Sequence, residues 1–429
     1  MSAAIDYLGR RHAELERTEP EWLTATRDKA MQQVLASGLP TTRNEHWKYT
    51  NLRTLARRKF EPAAVAVDTD KIPSLVATGQ PAASFVNGQL HELSVGDYPA
   101  TTIAQLLEQQ PETLNGRLSA LVSYDKHPFA ALNTAFFSDG IVIEVPAGAE
   151  YTTPLLLEFI SAAAEQPALV CPRVLIVLGE NAKLSVIERY AGLPGAQNLT
   201  NAVTEVHLGQ GAQLSHYRLQ ELTEADTGMH LLAVHQGGDS MLRTHGVDLG
   251  GKLVRNDLHT WLCAPGATAE LDGFYLAVAS QHVDNHTRVD HSAPHTTSDE
   301  NYRGVLADKA RAVFNGKVYV AKDAQKVDAR QSNRNLILSG KAEVDTKPEL
   351  EIYADDVKCS HGATVGQLDE DAMFYLRSRG IGERTAKALL TFGFIEEILA
   401  GFGVAELRQY VETLVTERLP DSERLEVLT

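Results

Sequence analysis

The sequence predicts a mainly β chain with helical ends, and three observations carry the prediction. From about Ala131 to Gly366, short Val-, Ile-, Leu- and Thr-rich runs of roughly five to eight residues alternate with Gly and Asn turns. Within these runs one spacing recurs: an apolar residue, three others, Ala, one other, an apolar residue. It appears at Val145–Ala149–Tyr151, Leu178–Ala182–Leu184, Leu208–Ala212–Leu214 and Leu338–Ala342–Val344, and in weaker form at Leu306–Ala310–Ala312. Amphipathic helical patterns bracket this part on both sides. A small residue at a tight corner between inward-pointing apolar residues is what a β-solenoid requires. Hairpins of a large β-sandwich accommodate the same Gly-Ala turns, so pattern alone leaves both architectures standing.

The elements follow in order. The region 1–130 is expected to be mostly helical. Its clearest helix is Glu21–Ser37, with apolar residues near helical spacing, Pro20 before it, and Gly38 and Pro40 after it. The polar, aromatic-bearing run Arg43–Leu55 follows, in which Trp47 and Tyr49 read as local packing, with partner docking as the alternative. A stretch with Pro62, Pro73, Pro81 and Pro99 carries mixed signals. The β core is placed at 131–366; Gly179 and Gly209 sit identically in its two clearest repeats, 30 residues apart. A C-terminal helical domain is placed at 367–429. There Asp369 can cap a helix that stops at Gly380, and two amphipathic helical runs come after it. Helices at the two ends are expected to cap the solenoid edges against further pairing.

Composition sets bounds. The chain has 429 residues, 43% hydrophobic and 22% charged, which is ordinary for a soluble protein. Its net charge of −16 disfavours a nucleic-acid backbone as partner. No apolar run reaches the roughly 18 residues that span a bilayer, and the N-terminus lacks the apolar core of a signal peptide. The expectation is a cytoplasmic protein that binds neither nucleic acid nor membrane. Three scattered cysteines, Cys171, Cys263 and Cys359, form no CxxC pair and cannot supply four thiolates. Cys171 and Cys263 read as core residues.

The most informative run is LEIYADDVKCSHGATVG, Leu350–Gly366. If it is extended throughout, Asp355, Cys359 and His361 form a row of potential metal ligands on one face. The competing readings are a small buried hydrophobe for Cys359 and a hydrogen-bonded turn residue for His361. Four of the fifteen histidines, His282, His286, His291 and His295, fall in HVDNHTRVDHSAPH. Val, Thr and Asn argue for a strand, in which His282 and His286 share a face with Asp284 between them. They read there as hydrogen-bonded polar residues more than as a metal site. No phosphate-binding loop, dinucleotide fingerprint, nucleophile elbow or paired-carboxylate motif is present.

The chain resembles the SufB/SufD family, the scaffold subunits of the Suf iron–sulfur cluster assembly machine. The resemblance rests on residues 282–306, on ARAVFNGKVYV (310–320), on 341–366 with its CSHGAT ending, on FYLRSRGI (374–381), and on RNEHWKYTNL near the N-terminus. It spans essentially the whole chain, is most specific over 282–381 and is loosest over 56–130. It points to the D type: the stretch Ser332–Ser339 lacks the thiol found there in the B type. Glu300 stands where a Gln-like residue is expected, and no function attaches to it from sequence.

What the resemblance implies is a right-handed parallel β-helix flanked by N- and C-terminal helical domains. It implies pairing with the B-type scaffold subunit through the β-helices, and docking of the C-type Suf ATPase on the C-terminal helices. A homodimer is conceivable in isolation. The chain would be a non-enzymatic scaffold. His361, with Cys359 as the adjacent thiol, would be ligands for transient iron or a cluster precursor shared with the partner, and no cluster would be held stably by the chain alone. Two other readings compete: a β-helix enzyme acting on polysaccharide, and a subunit that merely stabilises the B type.

Overall fold

The computed structural model describes residues 3–62 and 80–419. Part of the proline-bearing stretch, including Pro73, lies outside the described residues. The β region is a parallel solenoid of about eight coils, each contributing one strand to sheet A and one to sheet B. The coils are Ile141–Val145 with Glu150–Ser161, Arg173–Leu178 with Lys183–Gly192, Leu199–Leu208 with Gln213–Glu221, and Thr227–Gln236 with Met241–Asp248. They continue as Leu253–Leu262 with Thr268–Ala277, His282–His291 with Thr297–Leu306, Arg311–Val320 with Asp328–Ile337, and Glu343–Ile352 with Lys358–Gly366. Each strand pairs in parallel with the strand one coil away, not with its neighbour in sequence. A parallel pair needs a long crossover, and here the strand of the opposite sheet supplies it. This settles the architecture as a solenoid and excludes the sandwich.

Corner chemistry follows from stacking. Gly179 and Gly209 lie where successive corners touch: a Cβ on Gly209 would sit 3.0 Å from the Gly179 carbonyl carbon, and one on Gly179 would sit 2.6 Å from the Ala147 nitrogen. Ala149, Ala182 and Ala212 fill corners leading from sheet A to sheet B, whereas Ala310 and Ala342 fill corners leading back. The recurring spacing thus marks corners of both kinds. Between the sheets the early coils are packed with Ile141, Ile143, Val174, Ile176, Val186 and Leu208. Later coils place Asn285, Glu300, Gln331, Asn333 and Asn335 in buried positions, with aromatic rings among them.

The helices flank the solenoid. Helices α1 (Ala3–Glu14), α2 (Glu21–Ser37), α3 (Ile103–Gln109) and α4 (Pro128–Phe136) belong to the N-terminal part. Leu23, Met31, Trp47, Phe129 and Leu132 from this part bury against Val142, Leu175, Leu199 and Met229 on the outer face of sheet A. The fully buried Arg173 anchors it, pairing with Glu205, which also accepts from the backbone amides of Ser119 (2.7 Å) and Leu121 (2.8 Å). Helices α5 (Glu370–Ser378), α6 (Glu383–Leu399) and α7 (Ala405–Arg418) follow the last coil. The Asp369 carboxylate caps α5, accepting from the amides of Asp371 (2.8 Å) and Ala372 (3.1 Å), and Gly380 leaves the helix at φ +83°.

Among the described residues the expected helical cap over the C-terminal edge is not formed. Ile395, Ile398, Leu399 and Phe402 pack instead beside Phe274, Leu276 and Val305 on the flank of sheet B. That flank offers a continuous apolar column, and the helices follow the larger apolar area. At the opposite end, Ala82–Val86 pairs with the first coil and with Gln89–Ser94, and Ala100–Thr102 runs antiparallel to Ile141–Val145. Among the described residues the first coil is therefore covered and the last is open.

Burial holds several histidines neutral: His230 falls from 6.5 to about 3 and His291 from 6.5 to about 4. Their folded values lie below the unfolded one, so the unfolded chain takes up more protons and stability drains away as pH falls from about 6.5 towards 4. Burial raises Glu300 and Asp272 to about 7, which acts in the opposite sense as pH rises towards that value. His291→Asn should therefore flatten the fall of melting temperature on the acid side. An unchanged slope in a pH series of thermal melts would contradict this account.

Candidate functional site at the open end of the solenoid

The run Leu350–Gly366 is not one strand. The last strand of sheet A ends at Ile352, a corner occupies 353–357, and the last strand of sheet B is Lys358–Gly366. Asp355 lies in that corner, so the expected row of three ligands is reduced to two. The error has a plain cause: a polar segment rich in Asp reads as extended until the coil length shows that the chain must turn there. Cys359 and His361 do share a face, two residues apart on one strand. Among the described residues no group of three or more His, Cys, Asp or Glu is arranged to hold a metal ion. Among the described residues Cys359 and His361 are thus two adjacent donor groups, fewer than the four ligands an iron–sulfur cluster takes.

Register identifies what lies behind the pair. Cys359 stacks on Ala329 and Ser298, a column of small inward residues, and its neighbours include Val327 and Ala354. Burial, with Asp328 beside it, raises its thiol above the ordinary value, so it is a thiol rather than a thiolate near neutral pH. His361 stacks on Gln331 and, beyond it, Glu300. It is exposed, and among the described residues no coil follows it. Both strands of the last coil have one edge unpaired, and Ile352, Tyr353 and Val365 are exposed there at 39%, 60% and 49%. Such edges are open to backbone pairing with another chain.

A second cluster lies on the outer face of sheet A, where two motifs far apart in sequence meet. Thr50 donates to Asp284 at 2.6 Å and lies 2.9 Å from the His282 ring. The Arg255 guanidinium donates to the His46 carbonyl at 2.6 Å, pairs with Asp257 and Asp284, and lies 3.9 Å over the Trp47 ring. Trp47 is buried, which bears out its reading as packing, whereas Tyr49 is exposed and does not follow it. His282, Asp284 and His286 sit on one strand, with His286 2.9 Å from the Asp284 carboxylate. Burial alone would raise Asp284, but His286 and Arg255 hold it well below the carboxylate range. The adjoining cavity is about 390 Å³ and is lined by His46, His127, His259 and Lys317 among others. Burial lowers the first three, leaving neutral imidazoles. Arg255, Asp257 and His127 carry no signal in the sequence, because nothing short of the coil register brings them to the histidine-bearing strand.

The other thiols divide. Cys171 is buried, as expected, and burial raises its thiol strongly. Cys263 is exposed, contrary to the expectation of a core residue: it follows the last inward residue, Leu262, and begins a corner. Near neutral pH a small alkylating reagent should modify Cys263 first, Cys359 more slowly and Cys171 only on unfolding, as read by mass spectrometry. Modification of Cys171 in the native chain would contradict this order.

Two family models match the chain. One is described as the SUF system FeS cluster assembly, SufBD core domain, over residues 159–394, and the other as the SufBD protein N-terminal region, over residues 2–73. A SufBD family protein of Synechocystis is 34% identical over 94% of this chain and 92% of its own length. The iron–sulfur cluster assembly protein SufD of Escherichia coli is 32% identical over 92% of both chains. SufD of Bacillus subtilis is 24% identical over 94% of this chain and 95% of its own.

Proposed function

The chain belongs to the SufBD family of iron–sulfur cluster assembly proteins, and from that premise we propose that it is the D-type scaffold subunit, joining a B-type subunit at its open coil and supplying His361 to the shared interface. The single observation that carries the reading is the last coil itself. Among the described residues its two strands end the sheets without a covering element, and an imidazole stands exposed on the inward face of one of them. A second solenoid placed there extends both sheets and buries Ile352, Tyr353 and Val365.

The role needs no catalytic machinery. Neutral imidazole is a competent ligand for Fe(II), and the remaining ligands come from the partner. Iron or a cluster precursor is then cargo held between two chains, and the isolated chain keeps none stably. Cys359 is the weaker candidate: its small-residue column gives it a packing role, and its protonated thiol must lose a proton before it binds metal.

The C-terminal helices are the proposed dock for the C-type ATPase. Helix α5 buries none of its residues, and it exposes Phe374 at 74% and Tyr375 at 55%. Exposed neighbouring aromatics are typical anchors of a protein interface. Helices α6 and α7 are the mounting, because their apolar faces are already spent on sheet B. Truncation after Gly366 would strip that face as well, so point substitutions on α5 are the cleaner test. Replacing Phe374 and Tyr375 together by Ala should weaken ATPase binding by at least tenfold in a pull-down titration while the melting temperature of the solenoid is kept. Undiminished binding would remove α5 from the interface.

His361→Ala tests the ligand role. Co-purified with B- and C-type partners, the variant should associate normally yet lose iron and acid-labile sulfide. Normal cluster content would leave the chain as a structural stabiliser of the B subunit, the competing reading.

A further inference from the structure

Two buried side chains lie directly behind His361 and have no part in the function so far described. One inward column of sheet B runs His216, Thr244, Leu271, Glu300, Gln331, His361, each residue in register with the next. Strands so paired are about 4.8 Å apart, so long side chains in one column meet. Glu300 is 0% exposed and Gln331 3%.

The Gln331 amide is held from two directions. Its Nε2 donates to the Glu300 carboxylate. Across the solenoid, Gly316 leaves the slot that the amide fills: a Cβ there would come within 2.1 Å of Gln331 Nε2. With its nitrogen committed inward to Glu300, the amide keeps its oxygen for the next coil. That oxygen is buried and has no hydrogen-bond partner. Buried acceptors are rarely left so, and each such case calls for a partner. The next residue in the column is His361, at the mouth of the solenoid.

We propose that Gln331, anchored by Glu300, is the positioning residue for His361: the Gln331 carbonyl oxygen accepts the imidazole N–H and leaves the other ring nitrogen, unprotonated, facing the partner. The inference rests on the reading of His361 as a ligand. A neutral imidazole has one N–H and one lone pair, so fixing the first fixes where the second points. Metal-binding histidines generally donate their second nitrogen in this way, and loss of the acceptor typically costs 10–100-fold in metal affinity or activity. The carboxyl of Glu300, pushed up to about 7 by burial, sits one coil deeper, and its part is to hold the amide rather than to meet the ligand.

The test uses the complex with B- and C-type partners, carrying Gln331→Leu, Gly316→Ala, Glu300→Leu, Glu300→Gln or His361→Ala. Iron and acid-labile sulfide per complex are measured, with complex recovery. Histidine labelled in the ring reports the tautomer of His361 through its imidazole signals, assigned by their absence in His361→Ala. Gln331→Leu and Gly316→Ala should each lower cluster content on the order of tenfold, with full recovery of the complex and displaced His361 signals. Glu300→Gln, which keeps an acceptor for the amide, should retain several-fold more cluster than Glu300→Leu. If His361→Ala abolishes assembly but Gln331→Leu does not, the proposal is wrong. It is equally wrong if Gln331→Leu loses cluster while the His361 signals stay put, because the loss is then structural. If His361→Ala assembles clusters normally, the ligand reading itself has failed. Displaced His361 signals in Gln331→Leu would then still support the positioning contact, and unmoved signals would overturn it.

Discussion

Backbone pairing between coils is the constraint from which the rest of this molecule follows. Lys183, Gln213, Met241, Thr268, Thr297, Asp328 and Lys358 hold one and the same position in successive coils of sheet B. A residue's neighbours are therefore the residues about thirty positions before and after it. Corners must stack as well as turn, which is why Gly179 and Gly209 stand where a side chain would strike the adjacent corner. Inward residues must tolerate a like-placed residue above and below. The Ala329, Ser298 and Cys359 column meets that demand with small side chains, and the Gln331 and Glu300 column with a hydrogen bond.

The interior changes character along the stack. The first coils are filled mostly with branched apolar residues held by close packing, but polar groups enter from the second coil, where buried Glu188 accepts from Tyr190 at 2.6 Å and from Thr204 at 2.9 Å and lies 3.0 Å from the His216 ring. Later coils carry amides, hydroxyls and a carboxyl, and these must be paired to be tolerated. Asn335 donates to Asn333 at 2.7 Å, Thr346 donates to Asn333 at 2.8 Å, and Tyr275 donates to Asn335. This polar chain runs towards the open end. Apolar packing makes the stack stable, and the paired polar side chains along it fix where individual groups point.

Much of this was legible in the sequence, but not uniformly. Local signals served well. Helix α2 spans Glu21–Ser37 as the apolar spacing and the flanking Pro20 and Gly38 predict, and Asp369 caps α5. The strand reading of HVDNHTRVDH held because Val, Thr and Asn outweigh the helical spacing of two histidines. The solenoid was legible as a recurring Ala corner, although one spacing serves both kinds of corner. Readings that needed exact coil length failed. Asp355 fell in a corner, Cys263 fell one residue past the core, and the C-terminal helices took the flank of sheet B because relative apolar areas cannot be read from one helix alone. Glu300 and Gln331 were invisible beside His361 for the same reason: they are neighbours only once three coils are in register.

The two ends of the stack are not alike, and this fixes how far end-to-end growth can go. At the beginning, strands of three and six residues run antiparallel to their neighbours and finish the sheets. Among the described residues, only the far end presents a parallel coil in which both strands have an unpaired edge. A unit with two such ends would polymerise into a fibre. With one, and with a partner built the same way, growth by parallel sheet extension would stop once the second solenoid is seated. Unequal ends of this kind act as a chain terminator wherever two such solenoids join open coil to open coil.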